Sequence, residues 1–152
     1  MTMIHLFVSD IGAACFVKSD GESLSDLQAL VEGWIEHQIS PRGEDVYFNE
    51  EGRFREDFYP NLVASYEVGI PLVGPCVFTR SDETGKTTGL TKADIRRWKN
   101  LLELDENEGV WFDDDDPASS PWTMDVSPVT VQYVVDMMAN ARAMTDKSTV
   151  DS

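Results

Sequence analysis

The order of two apolar patterns along the chain constrains the fold more than any other feature of the sequence. Residues 4–8 and 13–17 are short runs of β-branched and aromatic side chains around the turn sequence of residues 9–12, so they predict a β-hairpin. Beyond Ser23, with Asp26 as a capping-box acid, apolar residues recur every three or four positions and predict an amphipathic helix. Its apolar positions are Leu24, Leu27, Leu30, Val31 and Trp34.

Three further strands and a second helix are predicted downstream. Residues 35–39 and 46–48 predict strands, and residues 71–78 predict a strand whose Gly/Pro bend places it at a sheet edge. Thr91 and Asp94 predict the start of a helix that directs its apolar side chains inward. Those side chains are Ile95, Trp98, Leu101 and Leu102.

Two stretches between these elements need separate interpretation. Residues 62–68 fit either a short helix or a loop. The turn of residues 49–52 is explained by Asn49, which accepts local backbone hydrogen bonds, and by Gly52, which supplies a positive φ. Glu50 and Glu51 in that turn are expected to face solvent, so they do not form a catalytic acid–base pair.

The predicted fold class is α+β, because the strand connections are mostly short and the helices do not alternate regularly with the strands. We expect a small, mainly antiparallel sheet with helices packed on one face and a C-terminal helix. Residues 1–104 form the α+β core, and residues 105–127 form a long acidic aromatic loop. Residues 128–145 are a C-terminal helix of the same domain, and residues 146–152 are a frayed tail.

The formal charge of −16 lies mostly in the C-terminal third of the chain. Residues 1–100 hold 16 acids and 10 bases, whereas residues 101–152 hold 12 acids and 2 bases. Nucleic-acid affinity depends on Lys and Arg neutralising phosphates, so we expect no direct binding of DNA or RNA. A protein partner with a basic surface fits this charge better. The alternative is that the acidity only keeps the chain soluble or reflects a salty environment.

The cysteines and the N-terminus indicate a cytoplasmic protein. Cys15 and Cys76 lie in apolar runs, where a reduced thiol acts as a small hydrophobe, so no disulfide is expected. The chain has no apolar run of 18 residues and no basic, apolar leader, so neither a membrane span nor export is predicted.

Motifs for catalysis are incomplete. Residues 84–87 resemble part of a phosphate-binding loop, but Arg80 occupies the position of its first glycine. Residues 105–116 resemble a calcium loop, but Val110 stands where that loop needs glycine. His5 and His37 could each pair in space with a cysteine, although acidic surroundings disfavour a thiolate. We therefore predict no catalytic residue, no cofactor and no defined metal site. Weak divalent-ion binding by adjacent aspartates remains an alternative.

The acidic aromatic loop holds the predicted partner-binding residues. Its carboxylates supply charge, and its aromatic side chains supply the apolar anchors that carry interface energy. The carboxylates are Asp113, Asp114, Asp115 and Asp116, and the anchors are Trp111, Phe112 and Trp122.

The C-terminal helix carries a second predicted interface. Its apolar arc spans about 200°, more than one core contact needs. We expect Tyr133, Met137 and Met144 to pair with a second copy of the chain. The alternative is a helix wedged between two parts of its own domain, which would bury the same wide face.

Several short segments resemble those of an uncharacterised family of small proteins carried by bacteriophages and bacterial mobile elements. They are residues 27–36 (LQALVEGWIE), 49–52 (NEEG), 60–64 (PNLVA) and 73–74. The resemblance covers about residues 20–95. It implies a phage accessory protein that binds a host protein, and one form of this hypothesis is that the acidic protein imitates a nucleic acid. The alternatives are a small metal-binding protein or enzyme that uses the acidic cluster, and a self-assembling structural component.

Overall fold

The computed structural model describes residues 3–19, 28–102, 123–125, 135–137 and 139–144 of the 152-residue chain. Its strands are β1 (Met3–Val8), β2 (Ala14–Ser19), β3 (Ile35–Ile39), β4 (Asp45–Asn49), β5 (Cys76–Thr79) and β6 (Thr123–Asp125). Its two bounded α-helices are α1 (Leu62–Val68) and α2 (Lys92–Leu102), and Gly52–Phe54 is a 3-10 helix. Residues 28–30, 135–137 and 139–144 are also helical.

The strands form one sheet in the order β3-β4-β5-β1-β2-β6. All neighbouring pairs are antiparallel except β2 with β6, so the α+β class and the mainly antiparallel sheet are confirmed. β1 and β2 form the predicted hairpin. The prediction that the segment of residues 71–78 lies at an edge is wrong, because β5 lies between β4 and β1. Its prolines precede Cys76, so every residue of the strand keeps its N–H for pairing.

The helices α1 and α2 pack on one face of the sheet, as predicted, and a second apolar cluster covers the other face. Alternation along β1 places Leu6 and Val8 in a cluster with α1 and α2, and Phe7 in a second cluster on the other face. Leu30, Val31 and the partly buried Val135 complete this second cluster. β1 is buried at all six positions, which requires cover on both sides.

Local capping explains where α1 and α2 begin. Residues 62–68 are a helix: the Asn61 side chain accepts a hydrogen bond from the Ala64 N–H at 3.1 Å, and Gly69 ends the helix in the left-handed conformation. In α2, Thr91 and Asp94 exchange the reciprocal hydrogen bonds of a capping box, as predicted.

Two apolar side chains face solvent against expectation. Trp34 is 72% exposed, because the helical residues end at Leu30 and Glu32 adopts a φ of 64°, which carries the chain out of the helix before the tryptophan. Leu101 in the last turn of α2 is half exposed, whereas Leu102 packs against the core. Within the described residues, no helix combines the length and apolarity needed to cross a membrane.

Gly52 is needed for a different reason from the one predicted. It is not among the glycines with positive φ; a Cβ at this position would lie 2.6 Å from the Val73 carbonyl oxygen. The predicted role of Asn49 is confirmed, since its Oδ1 accepts the Glu51 N–H at 2.8 Å. Its Nδ2 also donates to the carbonyl of Val31 at 3.1 Å, which ties β4 to the end of the first helical segment.

Candidate functional site

A cleft of about 450 Å³ opens between the β1–β2 turn and the start of α1. The turn side is lined by Ser9, Asp10, Ile11 and Gly12, and the helix side by Tyr59, Pro60, Asn61, Leu62 and Val63. Ser9 fixes the turn, because its hydroxyl accepts the Ala13 N–H at 2.8 Å and the Ile11 N–H at 3.3 Å. The cleft therefore has one wall set by the hairpin turn and one set by α1.

A single buried amide holds the helix wall in place. Asn61 Nδ2 donates to the carbonyl oxygens of Val8 at 3.0 Å and Gly74 at 2.9 Å, while its Oδ1 caps α1. Asn61 thus joins the end of β1, the approach to β5 and the first turn of α1. Buried polar groups with all partners satisfied make such a junction specific.

Buried ion pairs join Asp10, one of the residues that line the cleft, to Arg142, and Arg142 to Glu32. Arg142 donates to Asp10 through Nη2 at 2.8 Å and Nε at 3.1 Å, and to Glu32 through Nη1 at 3.0 Å. The side chains of Arg142 and Asp10 are 4% and 0% exposed. Asp10 also accepts the Tyr59 N–H at 2.8 Å. This paired geometry is the strong form of a guanidinium–carboxylate contact.

The ring of Phe58 contacts two guanidinium groups, and one of them is that of Arg142. The Arg142 and Arg55 Cζ atoms lie 4.8 Å and 4.0 Å from the ring centroid, within cation–π range. Arg55 also pairs with Asp57, whose carboxyl pKa is lowered by the hydrogen bond. We call Asp10, Glu32, Asp57, Arg55 and Arg142, with Phe58, the ionic cluster. Its three carboxylates and two guanidinium groups leave a net charge of −1.

The outer face of α1 presents large apolar side chains next to the cleft. Leu62 and Tyr66 are 78% and 85% exposed, while Ala64 and Val68 on the same helix are buried in the core. Residues four apart are neighbours on a helix surface, and Leu62 also lines the cleft. Exposed leucine and tyrosine side by side on an otherwise amphipathic helix give the cleft an apolar rim.

The thiols and histidines have other roles than the nucleophile–base pair considered from the sequence. Burial raises the pKa of Cys15 to about 11 and of Cys76 to about 12, so both are protonated at neutral pH. Both cysteines are free, as predicted. Burial lowers the pKa of His5 to about 4. Its ring nitrogens contact Thr79 Oγ1 at 2.7 Å and Ser19 Oγ at 2.8 Å.

A second polar network lies at the other end of the sheet. Asp45 accepts from the Ser81 hydroxyl at 2.6 Å and contacts His37 Nε2 at 2.7 Å. In this order the carboxylate lies between the serine and the histidine, so the hydroxyl contacts Asp45 and not the imidazole. Nearby Glu44 is buried and accepts from Trp98 Nε1 at 2.8 Å; desolvation raises the pKa of this carboxyl.

The residues predicted to bind partners are placed only in part. Met137 and Met144 are exposed side chains of the C-terminal helical residues. The other predicted residues lie outside the described part of the chain: Trp111, Phe112, Asp113, Asp114, Asp115, Asp116, Trp122 and Tyr133. Among the described residues, no group of three or more His, Cys, Asp or Glu side chains is arranged to hold a metal ion.

Sequence reasoning missed the ionic cluster. One signal was available, because Arg142 is one of only two basic residues after residue 100 and lies on a helix. A lone arginine in so acidic a segment fits a specific carboxylate partner better than a solvated surface. The sequence does not show which carboxylates it would meet.

These features define a small α+β sheet domain. It combines a cleft, lined in part by the ion-paired Asp10, with an exposed apolar helix face. The model of a family described as Domain of unknown function (DUF3846) matches residues 4–103, and the chain belongs to this family. No curated protein and no solved structure matches the chain. Asp10, Glu32 and Phe58 lie within the matched residues, whereas Arg142 lies beyond them.

Proposed function

We propose that this protein is a non-enzymatic binding protein that engages a host protein with a basic surface in the host cytoplasm. The observation that carries the proposal is the pair of largely exposed side chains, Leu62 and Tyr66, beside a cleft that Asp10 helps to line. Exposed apolar side chains grouped beside polar ones are typical of protein interaction sites.

The negative charge of the ionic cluster and of the whole chain supports a cationic partner group. The ionic cluster carries a net charge of −1, and the whole chain carries −16. Complementary charge steers a basic partner toward the surface, and the apolar contacts then supply affinity. In our proposal Asp113 to Asp116, with Trp111, Phe112 and Trp122, also bind the partner. An acidic surface of this kind would compete with nucleic acid for the partner.

Affinity capture with designed variants tests the proposal. The full chain is immobilised, exposed to bacterial lysate and analysed by quantitative mass spectrometry. We expect proteins with basic surfaces to be retained, and to be released at high salt because the encounter depends on charge. The double variant Leu62→Glu/Tyr66→Glu should lose them. Leu101→Glu, a half-exposed side chain on α2, is the matched control and should retain them. Equal capture by both variants would remove the α1 surface from the proposal.

Replacing Asp113, Asp114, Asp115 and Asp116 together by asparagine should weaken the same capture without harming the fold. Four adjacent like charges repel one another, and exposed loop carboxylates seldom stabilise a core. We expect the melting temperature in metal-free buffer to stay unchanged or to rise. A large fall in melting temperature would show instead that these carboxylates are paired inside the protein.

A further inference from the structure

β3 forms one edge of the sheet and, within the described residues, pairs only with β4. Four of its five side chains are exposed, and Ile39 is 62% exposed. The strand contains no proline, glycine or lysine. Natural edge strands usually carry such residues, which discourage pairing with another chain. β3 is therefore an edge that remains open to a further strand.

The register with β4 decides which backbone groups of β3 face outward. The flanking hydrogen bonds join Glu50 N–H to the Trp34 carbonyl at 3.0 Å and Ser40 N–H to the Glu44 carbonyl at 2.8 Å. In an antiparallel ladder, hydrogen-bonded and non-hydrogen-bonded positions alternate. The even-numbered residues of β3 therefore bond to β4. The N–H and C=O groups of Ile35, His37 and Ile39 point away from the sheet.

The sequence of β3, Ile-Glu-His-Gln-Ile, reads almost the same in both directions. When two copies pair antiparallel about His37, Ile35 lies opposite Ile39 of the other copy, and Glu36 lies opposite Gln38. Apolar side chains then meet apolar ones, and a carboxylate meets an amide that can donate to it. His37 lies opposite His37, and no two carboxylates lie directly opposite each other, an arrangement that would be unfavourable.

We propose that β3 pairs with β3 of a second copy of this chain, joining two sheets across a two-fold axis at His37. Only outward-facing backbone groups meet in this register, so three residue pairs would form about six hydrogen bonds. The interface is isologous, since the same strand contributes from both sides. A second copy fits better than another partner because the strand complements itself in side-chain type and in hydrogen-bonding pattern.

The dimer is expected to be weak. Pairing one five-residue strand on each side buries much less than the roughly 1,200 Å² of a standard stable interface. We therefore expect a dissociation constant of about 0.1 mM for the dimer. It is measured on the full chain by sedimentation velocity over a range of concentrations.

A lysine substitution on β3 distinguishes this interface from one on α2 or on the C-terminal helix. Ile39→Lys should remain at the monomer mass of 17.0 kDa at concentrations where the parent mass approaches twice that value. Leu101→Lys, matched in exposure, and Tyr133→Glu/Met137→Glu on the C-terminal helix should dimerise like the parent. A parent that stays monomeric at 1 mM, on the order of ten times the expected constant, overturns the proposal. Loss of dimer in the helix variant alone also overturns it and places the interface on that helix.

Cross-linking tests the register independently. His37→Cys places two thiols directly opposite each other, with Cα atoms about 5.5 Å apart, a distance that a disulfide spans. Mild oxidation should give a covalent dimer. Gln38→Cys, on the same strand and also exposed, is the control and should cross-link far more slowly, because residue 38 faces residue 36 of the other copy. Equal yields from both variants would contradict the two-fold axis at His37.

Discussion

Replacing Arg142 by alanine is expected to lower the free energy of unfolding by about 3–5 kcal/mol. The change would leave the fully buried Asp10 carboxylate without its cation, and the Glu32 carboxylate with only Arg55, at 3.8 Å. Removing one partner of a buried ion pair costs more than the pair contributes, because the remaining charge stays desolvated. Urea unfolding followed by tryptophan fluorescence measures the loss.

Arg55→Ala is the matched control, since both guanidinium groups contact the ring of Phe58. Arg55 is about a third exposed and pairs with the exposed Asp57, so its loss should cost less than about 1 kcal/mol. Adding Asp10→Asn to Arg142→Ala should recover part of the lost stability, because the unpaired charge is then removed. A cost below about 1 kcal/mol for Arg142→Ala would show that the ionic cluster does not anchor the C-terminal helical residues.

Acidification from pH 6.5 to pH 4 is expected to remove about 3 kcal/mol of stability through His5 alone. Burial lowers the pKa of this imidazole from its ordinary value of 6.5 to about 4. Above pH 6.5 both the folded and the unfolded chain hold His5 neutral, and the full stability is present. Between these two pH values the unfolded chain gains a proton that the folded chain does not. Stability therefore falls as the pH is lowered.

The variant His5→Gln provides the comparison. In urea unfolding at pH 7, 6, 5 and 4, this variant should lose less stability than the parent as the pH falls, even if it also lowers stability at pH 7. Identical pH profiles for the parent and His5→Gln would mean that folding does not lower the pKa of this imidazole.

Elements specified by neighbouring residues could be predicted from the sequence. The hairpin follows from two apolar runs around a turn, and the start of α2 follows from the Thr91–Asp94 pair. The position of β5 could not be predicted this way. Proline indicates an edge strand only where it lies inside the strand, and Pro75 directly precedes the first residue of β5. Central placement was decided by strands distant in sequence.

The same limit applies to the candidate site. Composition indicated acidic residues that bind a basic group, and the consecutive acids of residues 113–116 supplied a local pattern for it. The ionic cluster joins Asp10, Glu32 and Arg142, and Asp10 lies 132 positions from its arginine. A hydrogen bond over such a separation leaves no local pattern. The exposure of Leu62 and Tyr66 depends likewise on which side of α1 meets the sheet.

The separation of Asp10 from Arg142 has a consequence for synthesis on the ribosome. At elongation rates of about 5–20 residues per second, the intervening 132 positions take roughly 7–26 s to translate. During this interval the nascent chain holds Asp10 without its cation. The early strands therefore begin to assemble around a carboxylate that still needs water or counterions. Arg142, in the last stretch of the chain to be translated, supplies the cation that pairs with Asp10. A ribosome that stalls before residue 142 therefore leaves an N-terminal region that is more acidic and more hydrated than the finished fold.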